Sequence, residues 1–312
     1  MTIKINSSDI SVVVQGQLFK AEKSSTLDVI RSIRQFYPDS EVILSTWINA
    51  DIDEELNALC DHIVLTDDPG DMTVGSTPIN INRQLVSTKR GLEVATRPFV
   101  IKTRTDLRFT SSSLLEFMAL NLDRTPAYSI GKGHVCVADF STRTHLAEWK
   151  VPFWVCDFIY AGHREDILKI FAVDFYSKEL FEYYLNHPKP AYMLKQNDCF
   201  RYAPESYITY RYLSLDRNIP FENSFDNNPD AVSMYEELLV NNLIVLGSKQ
   251  LGVESLKYYL PLISTRKRLT YPKWQSIYKK YHQSPLPKAN WMEDSIDYLN
   301  YKLNKITKKK FK

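Results

Sequence analysis

Lys102, Arg104 and Asp106 alternate directly after the apolar run Phe99-Val100-Ile101. Side chains two apart on an extended chain share a face, so these three charged groups would point the same way. Two cations and one carboxylate at a strand end suit a phosphate-bearing substrate, with or without a divalent metal on the carboxylate. The plainer alternative is a strand that closes on a surface salt bridge. Asp157 is a second candidate, set inside the apolar and aromatic stretch 152–162. A carboxylate there is costly unless it is paired or functional. A third is Asn82-Arg83-Gln84 at a helix start, where backbone amides and the helix dipole favour anions. Arginine is the side chain best shaped for bidentate phosphate binding. A solvated helix face is the alternative. Glu205 follows Pro204 at the opening of another helix.

The elements that must position these residues read as β-α-β-α-β-loop-α-β. Strands are expected at 11–17, 41–47, from 61 into the Asp67-Asp68-Pro69-Gly70 turn, and from 99. Helices are expected at 26–36, 53–60 and 79–95. This order implies an α/β fold with a mostly parallel sheet covered by helices. All four strands turn from apolar to polar at their carboxyl ends. That places Gln15, Gln17, Thr46, Trp47, Asp67, Asp68, Arg104 and Asp106 along one rim, where open α/β sheets bind ligands. On the 79–95 helix, Asn80, Arg83, Ser87 and Arg90 form a polar face. Further strands are expected at 128–140 and 152–162, with helical turns from Arg164 and from Ala203. Beyond about 230 the pattern is helical or irregular with little strand signal. Residues 1–230 therefore read as the catalytic domain and 231–312 as a helical, basic extension.

Nine glycines are few for 312 residues, and neither GxGxxG nor GxxxxGK[ST] occurs, which argues against a dinucleotide fold and a P-loop. The four cysteines form no CxxC pair and fit reduced thiols better than a disulfide framework or a zinc site. The first residues hold no long apolar stretch, and no apolar run reaches the roughly 20 residues of a spanning helix, so a cytoplasmic location is expected. The net charge of +2 conceals an asymmetry: residues 255–312 carry 14 Lys/Arg against Glu293, Asp294 and Asp297. A basic end on an acidic body points to an anionic partner. Tyr258, Tyr259, Tyr271, Trp274, Tyr278, Tyr281 and Trp291 interleave with those cations, which suits the anionic inner face of the cytoplasmic membrane. No nucleic-acid module accompanies them, so nucleic acid is not an expected partner. A solvated helical appendage is the plainer reading.

Seven segments in fixed order resemble the WavE family of lipopolysaccharide-biosynthesis proteins. They are SVVVQGQ (11–17), EVILSTW (41–47), DDPG (67–70), INRQLVSTKRGL (81–92), KTRTD (102–106), DFIYAG (157–162) and PESYI (204–208). The resemblance implies a GT-A-like fold and glycosyltransferase activity. It also implies a nucleotide-sugar donor without fixing the sugar; a uridine-linked hexose, such as galactose, is expected. The acceptor would be a lipopolysaccharide or capsule glycan, lipid-linked or free. Gln15, Thr46 and Asp68 would then approach the nucleoside. Arg83, Lys102 and Arg104 would hold the diphosphate or sugar, with Gln17, Asn82 and Ser87 completing the donor site. Members of such folds carry Asp-x-Asp on a divalent metal. Here Thr103-Arg104-Thr105-Asp106 supplies one carboxylate, and Asp106 would hold Mn²⁺ or Mg²⁺. Alternatively Arg104 and Lys102 would neutralise the diphosphate unaided. The base that deprotonates the acceptor would be Glu205, with Asp157 as the competitor. His134 and His163 are weaker metal candidates, since a lone histidine is more commonly structural. Two other classes stay open. A sugar-phosphate nucleotidyltransferase would want a glycine-rich loop where this chain has Gln15-Gly-Gln-Leu-Phe. A non-catalytic glycan- or membrane-binding protein would bind no nucleotide.

Overall fold

A computed structural model of the protein describes residues 4–74, 77–146, 149–189, 199–264 and 266–288, together with Ile296 and Leu299. The first half alternates as its apolar pattern dictates. Strand β1 (Ile10–Gln15) is buried at every position, as befits the centre of a parallel sheet. Helix α1 (Thr26–Phe36) begins on a capping box in which the Ser25 amide donates to Asp28 at 2.7 Å. Strand β2 (Glu41–Trp47), helix α2 (Glu54–Leu59) and strand β3 (His62–Thr66) follow. A small ribbon of β4 (Met72–Val74) and β5 (Thr77–Ile79) leads into helix α3 (Ile81–Val94). Strand β6 (Phe99–Arg104) runs on to the short β7 (Leu107–Phe109) and helix α4 (Leu114–Met118).

The second half departs from the pattern in several places. The stretch 128–140 yields only β8 (Val135–Ala138), because the loop before it wraps a buried carboxylate. Asp166 there accepts from the amides of Lys132 at 2.8 Å and Gly133 at 3.0 Å. A ribbon of β9 (His145–Leu146) and β10 (Trp149–Lys150) precedes β11 (Cys156–His163), which runs into α5 (Arg164–Phe171). Two short helices, α6 (Lys178–Phe181) and α7 (Tyr183–Asn186), come before α8 (Pro204–Leu213), which starts on its proline as expected. Helix α9 (Pro229–Asn242) passes without a break into β12 (Leu243–Leu246), then α10 (Ser248–Leu251), β13 (Val253–Ser255) and α11 (Tyr271–Tyr281). The expectation of little strand beyond 230 is corrected by β12. Its four-residue apolar run continues a helix, and periodicity cannot separate the two.

The seven-stranded sheet has the order β12-β8-β11-β6-β1-β2-β3. All neighbours are parallel except around β11, which runs antiparallel to both β6 and β8. The fold is therefore a mixed α/β architecture with a mainly parallel sheet flanked by helices. Helix α3 lies close against β1 and β2 because residue 91 is glycine. A Cβ there would stand 2.4 Å from Val13 Cγ1 and 3.1 Å from Ser45 Cβ. One apolar core runs from Ile5 to Tyr278 and includes β12 and the inner face of α11. Tyr271, Trp274 and Tyr278 are thus packed inside, against the expectation that they face a membrane. Trp291 and Lys308 to Lys310 lie outside the described residues. Among the described residues no helix is long and apolar enough to cross a membrane.

Candidate functional site

The sheet reverses its building direction at β1: β2 and β3 extend one side, β6 and the later strands the other. Crevices at such switch points, outside the carboxyl ends of the strands, bind ligands in open α/β sheets. A cavity of about 300 Å³ opens there. Strand β1 contributes Gln15 with Gly16 and Gln17 beyond it, and β6 contributes Arg104 followed by Thr105 and Asp106. The two ends are in register, Gln15 opposite Arg104. Gly16 has φ +111°, a left-handed conformation that lets the chain leave β1 sharply while its amide still donates to Ser45 at 3.0 Å. From α3 come Arg83 and Gln84, from β2 Trp47, from β11 Asp157, and Pro204 opens α8 at the wall.

Arg104 is the most constrained group of the cavity. Its Nε and Nη2 donate to the two carboxylate oxygens of Asp106, each at 2.8 Å. Its guanidinium lies 4.1 Å from the Phe158 ring centroid and 5.8 Å from that of Tyr258. Asp106 is only 3 % exposed, so this is not the surface salt bridge of the plainer reading. Arg83 is held alike: Nε and Nη2 donate to the Asp68 oxygens, both at 2.7 Å. That pairing keeps Asp68 below the usual carboxylate range. Each arginine spends one edge on a carboxylate and retains Nη1 for other partners; in Arg83, Nη1 donates to Asn80 at 3.1 Å.

Asp157 lines the acidic side, and Glu205, outside the lining, is its electrostatic neighbour. Both are partly buried, and Asp157 faces the cavity. Burial, reinforced by the Asp157 charge, pushes Glu205 up to about 7. A carboxyl group that titrates near neutrality is suited to accept a proton.

Several expected donor contacts sit behind the cavity instead of lining it. Lys102 is fully buried; its Nζ donates to the Asp157 carbonyl at 2.6 Å, and burial lowers its pKa to about 8. Ser87 is buried and donates to Gln15 Oε1 at 2.6 Å, which orients a lining side chain. Thr46 is buried, and its hydroxyl finds no partner among the described residues. Asn82 ties α3 to the 173–177 loop, donating to the Tyr176 carbonyl at 3.0 Å and accepting from its amide at 2.7 Å. Asp68 reaches the cavity only through Arg83. Two features went unread in the sequence: Lys257 lines the cavity, and Tyr258 and Phe158 flank Arg104. No local signal marks Lys257. It arrives because β13 pairs with β7 and the Leu256 amide donates to the Asp106 carbonyl at 2.9 Å.

The metal expected on Asp106 does not fit these side chains. Arg104 donates to both carboxylate oxygens, and its charge stands where a cation would. Among the described residues no three His, Cys, Asp or Glu side chains gather into a metal cage. His134 is buried with Nε2 2.9 Å from the Val240 carbonyl oxygen. His163 packs on Phe99, ring centroids 4.7 Å apart. Neither lines the cavity.

The family model described as WavE lipopolysaccharide synthesis matches residues 10–311. No curated protein matches the chain. Solved structures give distant likenesses. A nucleotidyl transferase from Methanothermobacter thermautotroptrophicus is 14 % identical, covering 53 % of this chain and 76 % of its own, with TM-score 0.35. A cytidylyltransferase from Leptospira borgpetersenii is 9 % identical, covering 90 % and 99 %, with TM-score 0.34. Glucosyl-3-phosphoglycerate synthase from Mycobacterium tuberculosis, solved with Mn²⁺, uridine diphosphate and phosphoglyceric acid, is 17 % identical. That match covers 50 % of this chain and 56 % of the other, with TM-score 0.31.

Proposed function

The chain belongs to the WavE lipopolysaccharide synthesis family, and from that premise we propose that it is a glycosyltransferase using a nucleotide-sugar donor, uridine-linked, to extend a lipopolysaccharide or related surface glycan with a hexose. The observation that carries this reading is one cavity at the sheet's switch point lined by cations and by Asp157, with Glu205 within electrostatic reach of Asp157. Gln15, Gly16 and Gln17 offer the nucleoside a polar edge and close backbone approach. Arg83, Arg104 and Lys257 face the diphosphate, and the N–H groups of each guanidinium not spent on protein partners donate to its oxygens. The acceptor hydroxyl oxygen bonds the anomeric carbon as the bond from that carbon to the diphosphate oxygen breaks. The electron pair leaves with the nucleoside diphosphate, and the hydroxyl proton passes to Glu205 or Asp157. The guanidinium groups stabilise the charge that develops on the leaving group.

Calorimetric titration with uridine diphosphate, with EDTA and with Mn²⁺ or Mg²⁺, tests the donor site, followed by a screen of nucleotide sugars for donor hydrolysis. Saturable binding in EDTA and release of nucleoside diphosphate are expected. Binding that appears only with metal would return the metal to Asp106. No binding under any condition would leave a glycan-binding protein without transferase activity. Pyrophosphate release from a nucleoside triphosphate and a sugar phosphate would instead make the protein a nucleotidyltransferase.

A further inference from the structure

Lys102 is a buried charge that the proposed transfer leaves unused. On the central strand β6 it is fully enclosed. Its Nζ donates to the backbone carbonyl oxygen of Asp157 at 2.6 Å, while the rings of Tyr160 and Phe171 stand 5.8 and 5.5 Å away. Gln84 Nε2, from the first turns of α3, donates to the same oxygen at 3.2 Å. One carbonyl thus accepts from two elements at once. It lies where β11 loses step with β8, between Cys156 and Tyr160. An irregular strand leaves backbone groups without ladder partners, and such irregularities re-aim side chains beside active sites.

An ammonium ion is a costly way to satisfy one carbonyl. Taking a charge out of water is costly in general, and an apolar side chain of similar length would pack against the same two rings. Its charge does meet others: Asp157 and Asp106 attract it, and Arg104 repels it. We propose that Lys102 is a positioning residue that, together with Gln84, clamps the Asp157 carbonyl so that the irregular part of β11 presents the Asp157 carboxylate to the cavity beside Glu205. The proposal deepens the glycosyltransferase reading and rests on it.

Lys102→Met in the full chain separates positioning from ligand binding and from plain structure. The variant is expected to fold with a thermal midpoint equal to or above the parent's. It should bind uridine diphosphate with unchanged affinity and lose at least about 10-fold in kcat for donor consumption at unchanged KM. A parental kcat overturns the proposal. So does a fall in kcat matched by an equal fall in nucleotide affinity, which would make Lys102 a donor ligand. If Lys102→Met fails to fold, Gln84→Met decides, since it removes the second donor without touching a buried charge. A reduced kcat at unchanged affinity for uridine diphosphate supports the clamp, and an unchanged kcat, or a fall matched by an equal fall in that affinity, overturns it. If the parent protein consumes no donor, the glycosyltransferase reading falls on its own. The clamp is then judged by amide hydrogen exchange over 156–160, which should quicken in Lys102→Met; unchanged protection overturns it.

Discussion

Burial, with the Asp157 charge added to it, holds the Glu205 carboxyl above its ordinary range. Glu205 titrates at about 7 in the folded protein against an ordinary value of 4.5. The native state therefore holds its proton longer than the unfolded chain does. The contribution of Glu205 to stability is fullest below the ordinary carboxyl range and is lost as pH rises through about 7. Glu205→Gln should remove that decline: in urea unfolding at pH 5 and pH 8, the variant should gain on the parent only at pH 8. In the same variant the rise of donor consumption through neutral pH should flatten. A parental pH–rate profile would shift the base to Asp157. Residue-scale reading of the sequence set Gln15, Arg104 and Asp106 at strand ends on one rim, and all three line the cavity. It went astray at Lys102. Alternation put Lys102 on the same face as Arg104, but that face of a central strand is covered, by Tyr160 and Phe171 among others.

At the scale of elements, periodicity was a good guide to the first half of the chain and failed at β12, which is buried at every position. The bounds of α1 and β2 follow the expected 26–36 and 41–47. The loop 129–134 shows the limit. Asp166 recruits its amides from a distant helix, and nothing local announces that. Gly91 illustrates the opposite, a local residue whose reason is tertiary. Alanine is the better helix former by about 1 kcal/mol, so an exposed site would gain from the change. Here the new methyl group would meet Val13 and Ser45, and overpacking of this kind costs about 1–3 kcal/mol. Gly91→Ala should therefore lower the midpoint of chemical unfolding. A raised midpoint would mean that α3 does not press on β1 as described.

The whole molecule decides what the basic C-terminal segment is. Read by composition, its aromatic residues suit a membrane surface. In the fold, Tyr271, Trp274 and Tyr278 turn inward and Lys279 and Lys280 remain exposed. Removing residues 264–312 would strip the core of α11, so that truncation should unfold the protein and not merely release it from vesicles. Trp274→Ala alone should cost about 3–5 kcal/mol, measured by denaturant unfolding. Salt-sensitive binding to anionic vesicles is better tested by Lys279→Glu with Lys280→Glu, which leaves the buried face untouched. Loss of vesicle binding is expected there if the segment meets a membrane.

By itself the sequence determined the alternation of strands and helices, the rim of polar strand ends and the family. Each of these follows from short-range pattern, from which residues are apolar and at what spacing. Only the tertiary structure decided which of the charged groups reach the cavity. It placed Lys102 and Ser87 behind the lining, brought Lys257 in through the β7–β13 pair, and set β12 at the sheet edge. Those outcomes depend on which faces the neighbouring elements cover, and coverage is a property of packing between distant segments that no local spacing encodes.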